Sequence, residues 1–283
     1  MPNSEYPRTP VGEIIDAVVS STSKTLLATD FDGTLALIVD DPDSAALLPG
    51  ALQVVQNLSL KLGELAVISG RPLQFLADRF QVALGFPLAD PISDLGPPTQ
   101  QWPLSLVGLY GLEQYRHGVR SDHPQAAAWP RSVAQIAAAA ERSGPAGMRV
   151  ELKGLSITLH FRGQPNLAQQ VEDYAQEVAQ ESGLVARSAR MSVELHPPIE
   201  VDKGTVLSSY AASHNGPVLF LGDDVGDLPA FDACDRLAAS GTQAFKILAH
   251  SKESDQELID RADLILDGPP SVLRFLQQLQ TAV

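Results

Sequence analysis

The segment Thr25-Leu26-Leu27-Ala28-Thr29 runs straight into Asp30-Phe31-Asp32-Gly33-Thr34, and this abrupt change constrains the fold more than any other feature of the chain. The mostly apolar run is too short for a helix and lacks polar alternation. It therefore predicts a strand buried on both faces, as in parallel sheets. Three further runs share the form: Leu65-Ala66-Val67-Ile68 before Ser69-Gly70-Arg71-Pro72, Val218-Leu219-Phe220-Leu221 before Gly222-Asp223-Asp224, and Asp263-Leu264-Ile265-Leu266-Asp267 before Gly268. Helical patterns lie between or after them, around Ala51 to Leu62, Leu73 to Phe80, Lys203 to Ala212 and Ser271 to Leu279. Strands alternating with helices predict an α/β fold with a doubly wound, Rossmann-like parallel sheet. In such sheets the polar residues at the C-terminal strand ends line the ligand crevice.

The middle of the chain follows another pattern. Arg149 to Arg162 and Met191 to Leu195 alternate with period two, and helical stretches occupy Gln125 to Arg142 and Leu167 to Ser182. These predict a compact α+β insert. The expected division is a core over residues 1–113 and 199–283, split by an inserted domain over 114–198. Phe86 to Pro103, with its prolines, is expected to be an irregular loop.

With Lys plus Arg at 20 against Asp plus Glu at 34, the net charge is -14, and no basic run accompanies it. Nucleic acid is thereby disfavoured as a partner, since binding it draws on clustered cations. No apolar run approaches the roughly 18 to 20 residues of a membrane helix, and the polar start of the chain lacks the form of a secretory signal. One cysteine, Cys234, rules out an intrachain disulfide and suits a reducing compartment. A cytoplasmic monomer acting on a small molecule is expected. If that molecule carries phosphate, an acidic chain needs a local cation to attract it.

Asp30 and Asp32 are the first candidates for chemistry. Asp-x-Asp-Gly is also an ordinary turn sequence, but two carboxylates brought into one site repel and call for a cation or a shared proton. One could attack phosphorus while the other moves a proton. Thr34 would offer a donor to phosphate. Ser69 ends the second strand, Lys203 opens a helix, and Asp223, Asp224 and Asp227 follow the third strand. A lysine at a helix N-terminus opposes the helix dipole, which favours a functional role. The order Asp-x-Asp, Ser, Lys, Gly-Asp-Asp resembles the haloacid dehalogenase superfamily. That resemblance implies phosphate held by Ser69, the Gly70 amide and Lys203, with Thr34 and Arg71 beside them. It also implies magnesium held by the Asp30 carboxylate, the Asp32 main-chain carbonyl and Asp223, with Asp224 and Asp227 supporting from behind. Asp223 is a hard oxygen ligand of the kind magnesium prefers.

A narrower resemblance rests on Gly108-Leu109-Tyr110-Gly111-Leu112-Glu113, Glu151-Leu152-Lys153-Gly154, Leu159-His160-Phe161-Arg162, Val193-Glu194-Leu195-His196-Pro197 and Val201-Asp202-Lys203-Gly204. Together they resemble the trehalose-6-phosphate phosphatase family over about Leu26 to Asp235. The resemblance implies magnesium-dependent hydrolysis of trehalose 6-phosphate, with Asp30 as nucleophile and Asp32 as acid and base. It implies that the insert is a mobile cap closing over the phosphorylated disaccharide, whose distal hydroxyls meet Glu151, Lys153 and Glu194. By strand alternation Glu151 and Lys153 share a face, on which they could equally form a surface ion pair of little energetic weight. His160 and Arg162 follow the same alternation and are expected as supports or substrate contacts.

Three positions depart from the family pattern. Gly226 and Leu228 stand where many members have Thr and Glu, and Tyr110 replaces the usual His of Gly-x-His-Gly. Sucrose phosphate and glucosylglycerol phosphate are rival substrates. A phosphoacceptor receiver module is too short to match, and a sugar-phosphate sensor without turnover would keep the same binding residues.

Overall fold

The structure, a computed structural model, describes residues 8–39, 41–84, 103–189 and 191–283. The expected proline-rich loop lies, up to residue 102, outside the described residues. The described chain divides into two compact units, one of residues 1–121 and 202–283 and the other of residues 122–201.

In chain order the first unit begins with α1 (Val11–Val19), β1 (Leu26–Thr29), α2 (Ala51–Ser59), β2 (Glu64–Ile68), α3 (Leu73–Phe80), β3 (Leu104–Gly108), β4 (Glu113–Arg116) and β5 (Val119–Asp122). The second unit holds α4 (Pro130–Ser143), β6 (Arg149–Leu152), β7 (Ile157–His160), α5 (Ala168–Ser182), β8 (Val185–Ala189) and β9 (Ser192–His196). The chain returns to the first unit with α6 (Lys203–Ala211), β10 (Val218–Gly222), α7 (Leu228–Ala239), β11 (Ala244–His250), α8 (Gln256–Arg261), β12 (Leu264–Asp267) and α9 (Gly268–Ala282). None of these helices is long and apolar enough to cross a membrane.

The first unit is built on one sheet in the order β12-β11-β10-β1-β2-β3-β4-β5. From β12 to β3 every pairing is parallel, and β4 joins β3 antiparallel. The fold is thus the α/β doubly wound type. All residues of β1, β2 and β10 are buried, because helices cover both faces. On one face Leu27, Leu65, Val67, Leu219 and Leu221 pack with Ile14 and Val18 of α1, Val54 and Leu58 of α2, and Phe275 and Leu279 of α9. On the other, Phe220 meets Phe231 of α7 edge to face, with ring centroids 6.3 Å apart, and α6 packs on α7. Burying one such aliphatic or aromatic side chain contributes roughly 1.5–3 kcal/mol, so the strands carrying the site stand on a stiff platform.

The sequence boundary of the insert at Gln114 falls inside β4. That strand pairs with β3 through Leu106 and Tyr115, and Tyr115 is buried in the large core. β11 carries Lys246 and is half-buried at its start, so it lacks the continuous apolar run that marks its neighbours.

The second unit has its own antiparallel sheet, β6-β7-β9-β8. Ile157, Leu159, Val193 and Leu195 point to one face, where they pack with Val133 and Ala137 of α4 and Val171 and Ala175 of α5. The opposite face carries a polar row, Glu151 beside Thr158, Thr158 beside Glu194, and Glu194 beside Arg187.

Candidate active site

Asp30 follows the last residue of β1, and its amide donates to Leu221 O on β10 at 2.8 Å. Phe31, the residue between the two acids, is fully buried and stands edge-on to Phe75 at 5.6 Å and Phe80 at 6.1 Å. This aromatic anchor turns the chain so that the acids on either side face away from the core. Phe31 O accepts from the amides of Leu35 and Ala36, both at 2.9 Å. Gly33 sits at φ +76°, and a Cβ there would lie 2.0 Å from Asp223 Oδ2. The absence of a side chain at 33 is what lets the carboxylate of β10's end approach the Asp30–Asp32 turn.

Lys203 is the first residue of α6, whose start is closed by Asp202: its Oδ1 accepts from Thr205 N at 2.7 Å, and Asp202 N donates to Thr205 Oγ1 at 2.9 Å. The Lys203 ammonium is buried and lies 2.8 Å from Asp30 Oδ1 and 2.6 Å from Asp227 Oδ1. Asp227 is wholly buried, and its second oxygen accepts from the amides of Asp223 at 2.8 Å and Asp224 at 3.2 Å. It therefore fixes both the ammonium and the loop that presents Asp223. Asp224 closes the short helical turn after β10 by accepting from Gly226 N at 2.8 Å.

Carboxylate oxygens of Asp30, Asp223 and Asp227 all lie within 4.8 Å of one another. Burial pushes the Asp30 carboxyl from 3.8 up to about 8; Lys203 pulls it down, while Asp227, Asp224 and Asp32 push it up. Burial likewise raises Asp223 well above the usual carboxylate range, with Asp30 and Asp224 adding to it. Burial alone would discharge Lys203, but Asp227 and Asp30 hold it well above its ordinary value. Three buried acids against one buried ammonium leave the cluster short of positive charge. A hard divalent cation on Asp30 and Asp223 would supply it, and the all-oxygen donor set fits magnesium.

Asp32 is clamped by Arg71: Nε to Oδ2 at 2.7 Å and Nη2 to Oδ1 at 2.8 Å. The same guanidinium donates to Pro42 O at 2.9 Å and lies 4.6 Å from the Phe75 ring centroid. The residue that the superfamily resemblance sets beside the phosphate thus has its fork on the second acid. Ser69 is buried, with its hydroxyl accepting from Arg71 N at 3.2 Å. Thr34 is also buried, and its hydroxyl has no hydrogen-bond partner.

In the second unit, Glu151 Oε2 lies 2.6 Å from His160 Nε2 and 3.9 Å from Lys153 Nζ. Glu194 is buried and accepts from Ser156 Oγ at 2.7 Å. Arg162 lies past the end of β7. Ser156 and Thr158 went unnoticed in the sequence, although they continue the alternation of His160; Thr158 is buried with its hydroxyl unpartnered.

The acids, serine and lysine thus gather at the C-terminal ends of the adjacent strands β1, β2 and β10 and at the start of α6, and the described chain has the fold of haloacid dehalogenase-like hydrolases. It is similar to a haloacid dehalogenase-like hydrolase from Bacteroides thetaiotaomicron with TM-score 0.58 and 12% identity, over 90% of this chain and 99% of that one. Within that class, the model of the trehalose-phosphatase family matches residues 28–91. A trehalose-phosphate phosphatase of Mycobacterium tuberculosis is 31% identical over 260 residues, which are 88% of this chain and 60% of the relative. The chain therefore spans about three fifths of that relative's length. The C-terminal domain of a C. albicans trehalose-6-phosphate phosphatase has TM-score 0.74 and 20% identity, covering 99% of this chain and 100% of that domain.

Proposed function

We propose that this chain is a phosphoric monoester hydrolase that converts trehalose 6-phosphate to trehalose and phosphate, with magnesium as cofactor. The observation that carries the reading is the meeting of Asp30, Asp223 and Lys203 in one buried cluster beside the clamped Asp32.

In this reading Asp30 attacks phosphorus with the carboxylate, forming an aspartyl-phosphate as the bond from phosphorus to the sugar O6 breaks. Asp32, in its acid form, gives its proton to O6. The Asp32 carboxylate then takes a proton from water as the water attacks the aspartyl-phosphate, releasing phosphate and restoring Asp30. Arg71 keeps Asp32 aimed, since a bidentate fork fixes a carboxylate in plane as well as in place. Ser69, the Gly70 amide, Thr34 and Lys203 hold the phosphate oxygens. Magnesium, held by the carboxylates of Asp30 and Asp223 and the Asp32 carbonyl, would supply positive charge against those oxygens.

The polar face of the second unit supports a sugar ligand. Vicinal hydroxyls both donate and accept, so they are met by carboxylates and a lysine in a fixed arrangement. Glu151, Lys153 and Glu194 offer this, with His160 orienting Glu151 and Ser156 orienting Glu194.

Phosphate release measured over trehalose 6-phosphate, sucrose phosphate, glucosylglycerol phosphate and glucose 6-phosphate, with magnesium and with chelator, tests the reading. Trehalose 6-phosphate should be preferred, and chelator should abolish release. Preference for glucose 6-phosphate would refute the role given to Glu151, Lys153 and Glu194, and magnesium-dependent binding without release would leave a sensor.

A further inference from the structure

The turn after β3 carries a backbone conformation that ordinary residues avoid. Leu109 has φ +49° and Tyr110 φ +58°, followed by Gly111 at φ +121°. Two consecutive side-chain-bearing residues in the left-handed region cost on the order of 1–2 kcal/mol each and persist only where the surroundings enforce them. Here the enforcement comes from one place. Leu109 N donates to Arg71 O and Tyr110 N to Ser69 O, both at 3.0 Å. The turn is stitched, residue by residue, to the segment Ser69–Arg71 at the end of β2.

The strain places the Tyr110 phenol against Gly70. A Cβ on Gly70 would lie 2.6 Å from the phenol oxygen and 2.7 Å from the ring carbon that bears it. The phenol therefore requires a bare glycine at 70, and the hydroxyl stands at the backbone unit that follows Ser69. Tyr110 is half-buried, and it is among the groups whose proximity acts on the Lys203 ammonium. Meanwhile Arg71, the other cationic group of this segment, has its fork on Asp32 and its remaining reach on Pro42 O. A phosphate beside Asp30 and Asp223 thus meets much negative charge and loses one expected donor. A phenol supplies an O–H donor without adding charge.

Resting on the phosphatase reading above, we propose that the Tyr110 hydroxyl donates a hydrogen bond to a phosphate oxygen of the substrate, in the place that the geometry of Arg71 leaves unfilled. The contact forms with the bound phosphate before chemistry as well as during it. Its loss therefore weakens phosphate binding and raises KM by the same factor, with kcat little changed.

Tyr110→Phe keeps the ring on Gly70 and removes only the oxygen; Tyr110→Ala removes both. Inorganic phosphate binding is measured by calorimetry on the full chain with magnesium, alongside kcat and KM for trehalose 6-phosphate and the thermal midpoint. Losing a hydrogen bond to a charged group should weaken phosphate binding in Tyr110→Phe roughly ten- to a hundredfold. Phosphate affinity within twofold of wild type in Tyr110→Phe would overturn the inference, whatever the thermal midpoint does. If Tyr110→Phe weakens phosphate binding but neither protein hydrolyses trehalose 6-phosphate, the substrate reading fails and the hydroxyl contact stands. A wild-type chain that binds no inorganic phosphate overturns both.

Discussion

Asp30→Asn should make the metal-free protein more stable at neutral pH while abolishing turnover. The Asp30 carboxyl is buried and raised from 3.8 to about 8, first by burial and then by its acidic neighbours, against the pull of Lys203. Between those two values the folded chain keeps a proton that the unfolded chain releases, so stability is full at low pH and falls as pH rises through that window. Each unit contributes about 1.36 kcal/mol; across the three or so units below pH 7 the cost reaches roughly 4 kcal/mol, an upper bound since the cluster relaxes. Asparagine carries no charge to bury and escapes that cost, while Lys203 keeps Asp227 at 2.6 Å. Urea unfolding with chelator at pH 4.5 and 7.5 measures it. Wild type should lose stability between the two, and Asp30→Asn should lose less and exceed wild type by about 1–4 kcal/mol at pH 7.5. Added magnesium should then stabilise wild type more than the variant. A less stable Asp30→Asn at pH 7.5, or equal pH slopes, would refute the reasoning.

The same chemical change at Asp227 should have the opposite sign. One Asp227 oxygen accepts from Lys203 and the other from two amides, so either orientation of an asparagine sets its NH2 against a donor; Asp227→Asn should cost roughly 3–5 kcal/mol, and an unchanged urea midpoint would contradict it. Arg71→Lys keeps the charge but loses the fork on Asp32. Turnover should fall about tenfold or more with the trehalose 6-phosphate KM less affected, and wild-type kcat would remove Arg71 from positioning Asp32.

Much of the core is legible because parallel strands buried on both faces leave continuous apolar runs, and three of the four runs end at a site residue, Asp30, Ser69 or Asp223. β11 escaped notice because its start is half-buried and carries Lys246, paired with Asp235. The boundary at Gln114 cuts the mostly polar β4, which is held on the large sheet by its pairing with β3, the buried Tyr115 and the fork of Arg116 on Glu64. The site residues could be named from strand ends, but their partners could not. Arg71, just before α3, reaches Pro42 O across 29 positions and Asp32 across 39, with its guanidinium over Phe75 of α3, and contacts of such separation leave no periodic trace. In the second unit the alternation that marks His160 also reaches Thr158 and Ser156, yet serine and threonine in a strand are too common to stand out.

The position of Lys203 ties these observations together. A cation in the first turn of a helix works against the dipole by roughly 0.3–1 kcal/mol at an exposed end and up to about 2 when partly buried. The α6 start is otherwise well made, with Asp202 and Thr205 closing it in both directions, so the lysine is not tolerated there for want of better local structure. It is outweighed by its ionic contact to Asp227 at 2.6 Å, with Asp30 accepting a further hydrogen bond at 2.8 Å, both made in a dry cluster where such contacts are strong. The Asp30 carboxylate is itself unfavourable there without a cation, since burial raises its carboxyl. Each member thus breaks a local rule that only the others justify, which is the pattern expected where a chain gives up stability to hold charge for a ligand. A net charge of -14 spread over the surface would repel a phosphate; one buried ammonium, a metal on Asp30 and Asp223, and a phenol that adds no charge would together reverse that field locally.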